Sequence, residues 1–219
     1  MLEQEQKNTA FPIGKGYLAD VPELGICPEC TGLIPDDEQC KALWRQYGML
    51  ENVREHSWAV AELATALAER AAQRGFAVNV PAVRASALLH DIAKTYTIRH
   101  GGSHSQLGAS WVIYETKNRA IAQGVLLHVY WPWRIEQKSI CRLPFFVIYA
   151  DKRIRHNQCV SLQERFEDLL VRYGKDAHSR ANISLAYEQG KQMENALSAQ
   201  LGWNLDAYTL NSGRLVERA

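Results

Sequence analysis

The sequence lacks an excess of charge of either sign, and it lacks long apolar runs. Among its 219 residues, 25 lysines and arginines face 24 aspartates and glutamates, which gives a formal net charge of +1. That balance provides no bulk field to favour nucleic acid or an anionic membrane as the main partner. The uncharged stretch at residues 120–133 contains His128 and Pro132 and is too short to cross a bilayer. We therefore expect a protein that neither spans a membrane nor binds nucleic acid as its main task.

Cysteine is also scarce, at five residues, and the N-terminus has no cationic segment followed by an apolar run. An odd cysteine count without a visible secretion signal favours reduced thiols and a cytoplasmic location. Cys27 and Cys30 have half of a zinc-knuckle spacing, and Cys40 offers a third sulfur, but no fourth ligand follows. Two interpretations stay open: a zinc site, or reduced thiols packed against the core.

Proline and glycine are concentrated near the N-terminus, where they disfavour a long helix. Residues 1–35 contain these breakers: Pro12, Gly14, Gly16, Pro22, Gly25, Pro28, Gly32 and Pro35. We predict an irregular N-terminal arm over residues 1–35 and a helical domain over residues 36–219.

From residue 36 onward the apolar residues recur at three- and four-residue steps, and no alternating strand pattern appears. Capping residues and glycines punctuate these segments. The predicted helices span residues 37–47, 51–74, 79–94, 103–115, 118–128, 144–151, 160–173 and 176–201. Residues 95–102 are predicted to form a loop and residues 129–143 an irregular segment. The predicted fold class is therefore all-α.

Several of these helices bring a histidine or a carboxylate to an apolar face. His56 lies on the apolar stripe of its helix, and His90 with Asp91 follows an apolar triplet. His128 and Asp151 each end a further apolar run. Each has an ordinary explanation alone, such as a hydrogen-bonded core histidine. Together they favour a shared metal ion, because a buried carboxylate is costly without a partner and mixed imidazole and carboxylate ligands suit first-row divalent ions.

The order of these residues resembles a known family. His56, then His90-Asp91 within Ala-Leu-Leu-His-Asp-Ile-Ala-Lys (87–94), then Asp151 within Tyr-Ala-Asp-Lys (149–152), resembles the HD-domain superfamily of metal-dependent phosphohydrolases. The resemblance covers about residues 50–173. It implies an HD-domain-like helical bundle in which His56, His90, Asp91 and Asp151 are the core metal ligands.

Two further histidines resemble the branches of this superfamily that hold two metal ions. His104, in His-Ser-Gln-Leu-Gly-Ala (104–109), and His128 fall where those branches carry ligands. His100 is an alternative to His104 as this ligand, but it lacks the Gly-Ala segment that follows His104. The six-ligand set resembles bacterial hydrolases of symmetric dinucleoside tetraphosphates. The sequence departs from them in Ala93 and in the Val-Tyr-Trp-Pro-Trp run after His128, so the substrate is not transferred with the motif.

The resemblance implies a metal-dependent phosphohydrolase acting on a nucleotide or a similar small phosphorylated metabolite. The cofactor would be one or two divalent transition-metal ions, with iron, manganese, zinc, cobalt and nickel all possible. In the version with one ion, Asp91 also orients the attacking water. Lys94 and Arg153 are the predicted contacts to phosphate, and Arg153 is chosen from the basic cluster at residues 152–156. Lys94 could equally be a solvated cation at a helix end.

Alternatives remain for the function and for the aromatic residues. A phosphomonoesterase, a phosphodiesterase and a dinucleoside polyphosphate hydrolase all fit the ligand set. So do a non-catalytic module that binds metal or nucleotide for regulation, and a di-iron oxygenase of HD type. Tyr130, Trp131 and Trp133 could form one wall of a substrate pocket or belong to the core. The sequence leaves the oligomeric state open, a homo-oligomer included.

Overall fold

A computed structural model describes residues 25–26, 31–211 and 214–217, with side chains as far as residue 207. Helices dominate this part of the chain, which confirms the all-α class. The α-helices are α1 (Asp37–Gln46), α2 (Glu51–Gln73), α3 (Val80–Leu89), α4 (Lys94–His100), α5 (His104–Thr116), α6 (Arg119–Leu127), α7 (Leu143–Arg153), α8 (Leu162–Tyr173) and α9 (Ala177–Leu201). Short 3₁₀ turns cover Gln137–Ser139 and Leu205–Ala207.

Side-chain caps fix where most of these helices begin. Asp36 accepts from the backbone N–H of Gln39, whose side chain returns a bond to the Asp36 backbone. Such a cap satisfies N–H groups that the first helical turn leaves without partners. The same role falls to Asn79 for α3, Ser103 for α5, Asn118 for α6, Ser161 for α8 and Asp176 for α9.

The structure corrects the prediction at the end of α3. That helix ends at Leu89 rather than near Lys94, and the chain then turns through residues 90–93. Two hydrogen bonds tighten the turn: the backbone N–H of Ile92 donates to the carbonyl of Leu89, and that of Lys94 donates to the carbonyl of Asp91. The predicted loop at 95–102 is also wrong, because α4 runs from Lys94 to His100. His90 and Asp91 therefore lie in a turn between two helices.

Two small antiparallel hairpins were not predicted. In the first, β1 (Ile154–Arg155) pairs with β2 (Gln158–Cys159), and His156 and Asn157 form the turn. His156 has a φ of 58°, a conformation that residues with a Cβ rarely adopt. The second joins β3 (Tyr208–Asn211) to β4 (Arg214–Glu217). Strands of two residues are too short to produce a readable alternation, which is why the first was missed.

The core lies where α2, α3, α6 and α7 pack against one another. Helix α7 is buried over its whole length from Pro144 to Ala150, as expected for a segment that is apolar on every side. Within the described residues, no helix combines the length and apolar character needed to cross a membrane. Of the predicted N-terminal arm, residues 31–35 have neither helix nor strand, and residues 1–24 and 27–30 lie outside the described part.

Candidate metal centre

Six side chains from five parts of the chain meet in one cluster. They are His56 in α2, His90 and Asp91 in the turn after α3, His104 at the start of α5, His128 directly after α6, and Asp151 in α7. All six were predicted as metal ligands from the sequence. The structure brings all six into one cluster.

One half of the cluster surrounds Asp151. The Nε2 atom of His56 lies 2.9 Å from Asp151 Oδ1. The Nε2 atom of His90 lies 3.8 Å from the same oxygen and 3.5 Å from Asp91 Oδ2. Two imidazole nitrogens and two carboxylates thus face a common point.

The other half surrounds Asp91. Its Oδ1 atom lies 3.4 Å from the Nε2 atom of His104 and 3.6 Å from that of His128. The two histidine Nε2 atoms are 3.2 Å apart. Because Oδ2 of Asp91 faces His90 and Oδ1 faces the other pair, this carboxylate belongs to both halves.

Backbone carbonyls orient three of the four imidazoles. The Nδ1 atoms of His90 and His128 each lie 2.7 Å from the carbonyl oxygen three residues earlier, and that of His56 lies 2.8 Å from the carbonyl of His156. A carbonyl only accepts hydrogen bonds, so each Nδ1 must carry the proton. The Nε2 atoms then point into the cluster, which is how imidazoles that bind metals are commonly held.

Two buried atoms of the cluster are left without a hydrogen bond. They are His90 Nε2 and Asp91 Oδ1, in residues that are 0% exposed. Buried polar atoms without partners are rare and costly, and a cation would satisfy both. Three overlapping groups of three residues each place their ligand atoms within 4.8 Å of one another. The donor set of imidazoles and carboxylates therefore fits a divalent transition metal.

The electrostatics favour the metal-binding forms of His104, His128 and Asp91. Burial lowers the pKa of His128 to about 3 and also lowers that of His104, so both rings are neutral near pH 7. Burial alone would raise the pKa of Asp91, but Lys94 and His90 outweigh it and hold that pKa well below its usual value. The carboxylate of Asp91 is consequently ionised although it is buried.

Lys94 lies beside the cluster, as the sequence predicted. Its Nζ atom is 2.6 Å from Asp91 Oδ2, and its side chain is 35% exposed. Burial would lower the pKa of Lys94, but the charge of Asp91 raises it instead. The structure thus places a partly accessible ammonium group at the edge of the cluster.

Arg153 is not part of the cluster, and the structure gives no support to its predicted contact with phosphate. Its guanidinium is buried and donates to the carbonyls of Val160 and Leu205, to the hydroxyl of Tyr149 and to the carboxylate of Glu194. Residues 151 and 153 point about 200° apart around a helix, so a side chain that follows Asp151 by two positions faces away from it.

Other candidates fall outside the cluster as well. His100 is exposed and its ring packs at a tilt against Tyr96, outside the cluster that His104 joins. Trp131 and Trp133 are buried in the core, at 1% and 7% exposure, and do not line an open pocket. Cys40 is buried, with its sulfur facing the carbonyl of Pro35. Cys27 and Cys30 lie outside the described residues.

The carbonyl of His156 was missed by sequence reasoning. The sequence suggested only a basic cluster at residues 152–156, whereas the backbone of the hairpin turn is what contacts His56. No residue type marks a backbone carbonyl, and the only available signal was the short spacing between Asp151 and the turn.

The region that supplies these six residues also matches a known family. The family model described as HD domain matches residues 53–167, which is more than half of the chain. An uncharacterized protein of Methanocaldococcus jannaschii is 30% identical over 158 residues, covering 64% of this chain and 88% of that protein. No solved structure matches. The chain belongs to the HD domain family.

Proposed function

We propose that this protein is a metal-dependent phosphohydrolase that hydrolyses a nucleotide or a similar small phosphorylated metabolite. The observation that carries the proposal is the cluster itself, with four imidazoles, two carboxylates and an adjacent lysine in one place. Membership of the HD domain family supports hydrolysis, because that family consists generally of metal-dependent hydrolases.

The two halves of the cluster define where metal would be held. His56, His90 and Asp151 would hold one ion, His104 and His128 would hold a second, and Asp91 faces both. A divalent ion at such a site lowers the pKa of bound water and withdraws charge from phosphoryl oxygens. If only the first half is loaded, His56, His90, Asp91 and Asp151 would hold a single ion.

The remaining chemistry falls to Asp91 and Lys94. Asp91 is ionised, and its Oδ2 atom is fixed by the 2.6 Å contact with Lys94. When only the half around Asp151 holds an ion, the Oδ1 atom, which has no hydrogen bond, would orient the attacking water. Lys94 keeps part of its ammonium group accessible and would bind an oxygen of the phosphoryl group. The charge developing on that group would then be stabilised by Lys94 as well as by the metal.

The experiment combines metal content with a substrate panel. The purified protein is loaded separately with Mn²⁺, Co²⁺, Ni²⁺, Zn²⁺ and Fe²⁺, its metal is counted by mass spectrometry, and phosphate release is measured from nucleotides, dinucleoside polyphosphates and simple phosphoesters. We expect release that requires metal and is lost in His90→Ala and Asp91→Ala. The matched control is His100→Ala, an exposed histidine outside the cluster.

Other outcomes would favour the other two functions. Metal binding without release from any substrate would indicate a regulatory binding module. Oxygen uptake by the iron-loaded protein, with no release of phosphate, would indicate an oxygenase. Full activity and full metal content in His90→Ala and Asp91→Ala would overturn the site itself.

A further inference from the structure

The chain that follows His128 is irregular but is held by two buried polar side chains. Lys152 Nζ donates to the carbonyl of Val129, at 3.0 Å. The amide of Gln189 makes two bonds with Trp131, accepting from its N–H at 3.1 Å and donating to its carbonyl at 2.7 Å. The backbone is therefore fixed one residue and three residues after a predicted metal ligand.

Both side chains are buried, so these bonds are costly to remove. Lys152 is 5% exposed and Gln189 is 8% exposed. The stem of Lys152 runs alongside Gly190 of α9, where a Cβ would meet the Lys152 Cδ atom at 3.4 Å. Without Gln189, the backbone N–H and carbonyl of the buried residue Trp131 would lose their partners, and without the Val129 carbonyl the buried Lys152 ammonium would lose its acceptor.

Lys152 also links the two halves of the metal cluster. Its neighbour in α7 is Asp151, which faces His56 at 2.9 Å in the first half. Lys152 itself bonds to the residue that follows His128 in the second half. The placement of α7 thus determines where the Asp151 carboxylate lies in the first half. It also determines where the backbone next to His128 lies in the second half.

We propose that Lys152 and Gln189 are positioning residues for His128, holding its imidazole against Asp91 and His104. The proposal rests on the metal centre of the proposed function. Their bonds to residues 129 and 131 fix the course of the chain as it leaves α6, and this sets the position at which His128 ends the helix. Replacing a residue that orients a metal ligand typically weakens metal binding roughly 10- to 100-fold.

The test measures metal affinity rather than hydrolysis. Mn²⁺ and Co²⁺ are titrated into the full chain by calorimetry, with bound metal counted separately. We expect Lys152→Met and Gln189→Leu to weaken metal binding roughly 10- to 100-fold, and Lys152→Arg, which keeps a cationic donor, to retain more affinity than Lys152→Met. The matched control is Arg70→Met, which likewise removes a cation that donates to a backbone carbonyl, that of Leu201. Arg70 lies about 21 Å along α2 from His56 and so is far from the cluster.

A double-mutant cycle separates positioning from general stabilisation. If Lys152 acts through His128, Lys152→Met has no further effect on metal affinity in a His128→Ala background but keeps its effect in a His56→Ala background. Unchanged affinity in both Lys152→Met and Gln189→Leu would overturn the proposal, as would an equal loss in the two backgrounds. Because no substrate is involved, either result is independent of whether the loaded protein hydrolyses phosphoesters.

If Lys152→Met does not fold, the Gln189→Leu variant is carried through the same two backgrounds. Thermal unfolding is recorded for every variant, so that affinities are compared only where the protein is folded. A loss of stability with normal metal affinity would show a purely structural role and would also overturn the proposal.

Discussion

The Nε2 atoms of His104 and His128 lie 3.2 Å apart, with Asp91 Oδ1 3.4 Å from the first and 3.6 Å from the second. Both rings are neutral near pH 7, because burial lowers the pKa of each. Two neutral nitrogens and a carboxylate oxygen in this arrangement can share a cation.

Replacing His104 should therefore reduce the amount of metal bound. We expect His104→Ala to lose the ion that His104, His128 and Asp91 would share, while the half around Asp151 keeps its ligands. Metal counted by mass spectrometry after loading with Mn²⁺ measures the loss. His100→Ala should retain the full metal content, and equal metal in the two variants would argue against a site in this half.

Lys94 should contribute to turnover without contributing to metal content. Removing one donor that stabilises developing charge costs about 10²-fold in kcat, and we expect a loss of that order for Lys94→Met with metal retained. Phosphate release under saturating substrate and metal counting provide the two readouts. Lys94→Arg should recover part of the rate, and an unaltered kcat in Lys94→Met would mean that the ammonium group is only a partner for Asp91.

Arg153 should contribute to the stability of the fold and not to substrate binding. Its guanidinium is buried against Glu194, with Nη1 3.2 Å from the carboxylate oxygen. Leaving a buried charge without its partner costs roughly 3–5 kcal/mol, so Arg153→Met should lower the free energy of unfolding measured in urea. KM for the phosphorylated substrate should not change in the folded enzyme. A rise in KM at normal stability would restore the predicted contact with phosphate.

The pair between Asp37 and Arg84 should make stability depend on acid pH. Two bonds of 2.7 Å join the carboxylate in α1 to the guanidinium in α3, and they hold the pKa of Asp37 below its ordinary value of 3.8. A lowered pKa means that the contribution is present above about pH 3.8 and is lost as the pH falls through the folded-state pKa.

Asp37→Asn should accordingly be less stable than the wild type near neutral pH, by about 1 kcal/mol at most because the pair is partly exposed. The difference in Tm should shrink towards zero as the pH drops below 3.8. Glu38→Gln is the control, since its partner Lys41 lies on the same exposed helix surface. A difference that is constant with pH would show that packing, not charge, is responsible.

Cys40 should be inert in the folded protein. The residue is 0% exposed, and burial raises its pKa to about 12, so its thiol carries no thiolate near neutral pH. We expect no alkylation of Cys40 by iodoacetamide until the chain is denatured, as read from the mass of the peptide that contains it. Rapid alkylation under native conditions would contradict this expectation, and zinc lost in Cys40→Ala would favour the zinc site that the sequence left open.

Much of the fold could be predicted because its signals are local. Helices α1, α3 and α5 begin where the sequence offers a capping side chain, at Asp36, Asn79 and Ser103. The six candidate ligands were chosen because their order and spacing resemble a family motif, and the structure brings all six together.

The rest depended on contacts that no local pattern records. Helix α4 was predicted as a loop because the following Gly101 and Gly102 suggested irregular chain, whereas only the two glycines break the helix. The partners of Arg153, in residues 149, 160, 194 and 205, could not be read from the basic cluster in which it lies. Gln189 could not be linked to Trp131, 58 residues away, before the packing of α9 was known.

The turn at His156 and Asn157 sets a limit on how this chain can vary in length. Surface turns between short strands are ordinarily where a protein accepts an extra residue. Here the carbonyl of His156, held at a φ of 58°, is the partner of His56 Nδ1. One inserted residue would redirect that carbonyl and release the imidazole, so an outer loop becomes as intolerant of insertion as the helices it connects.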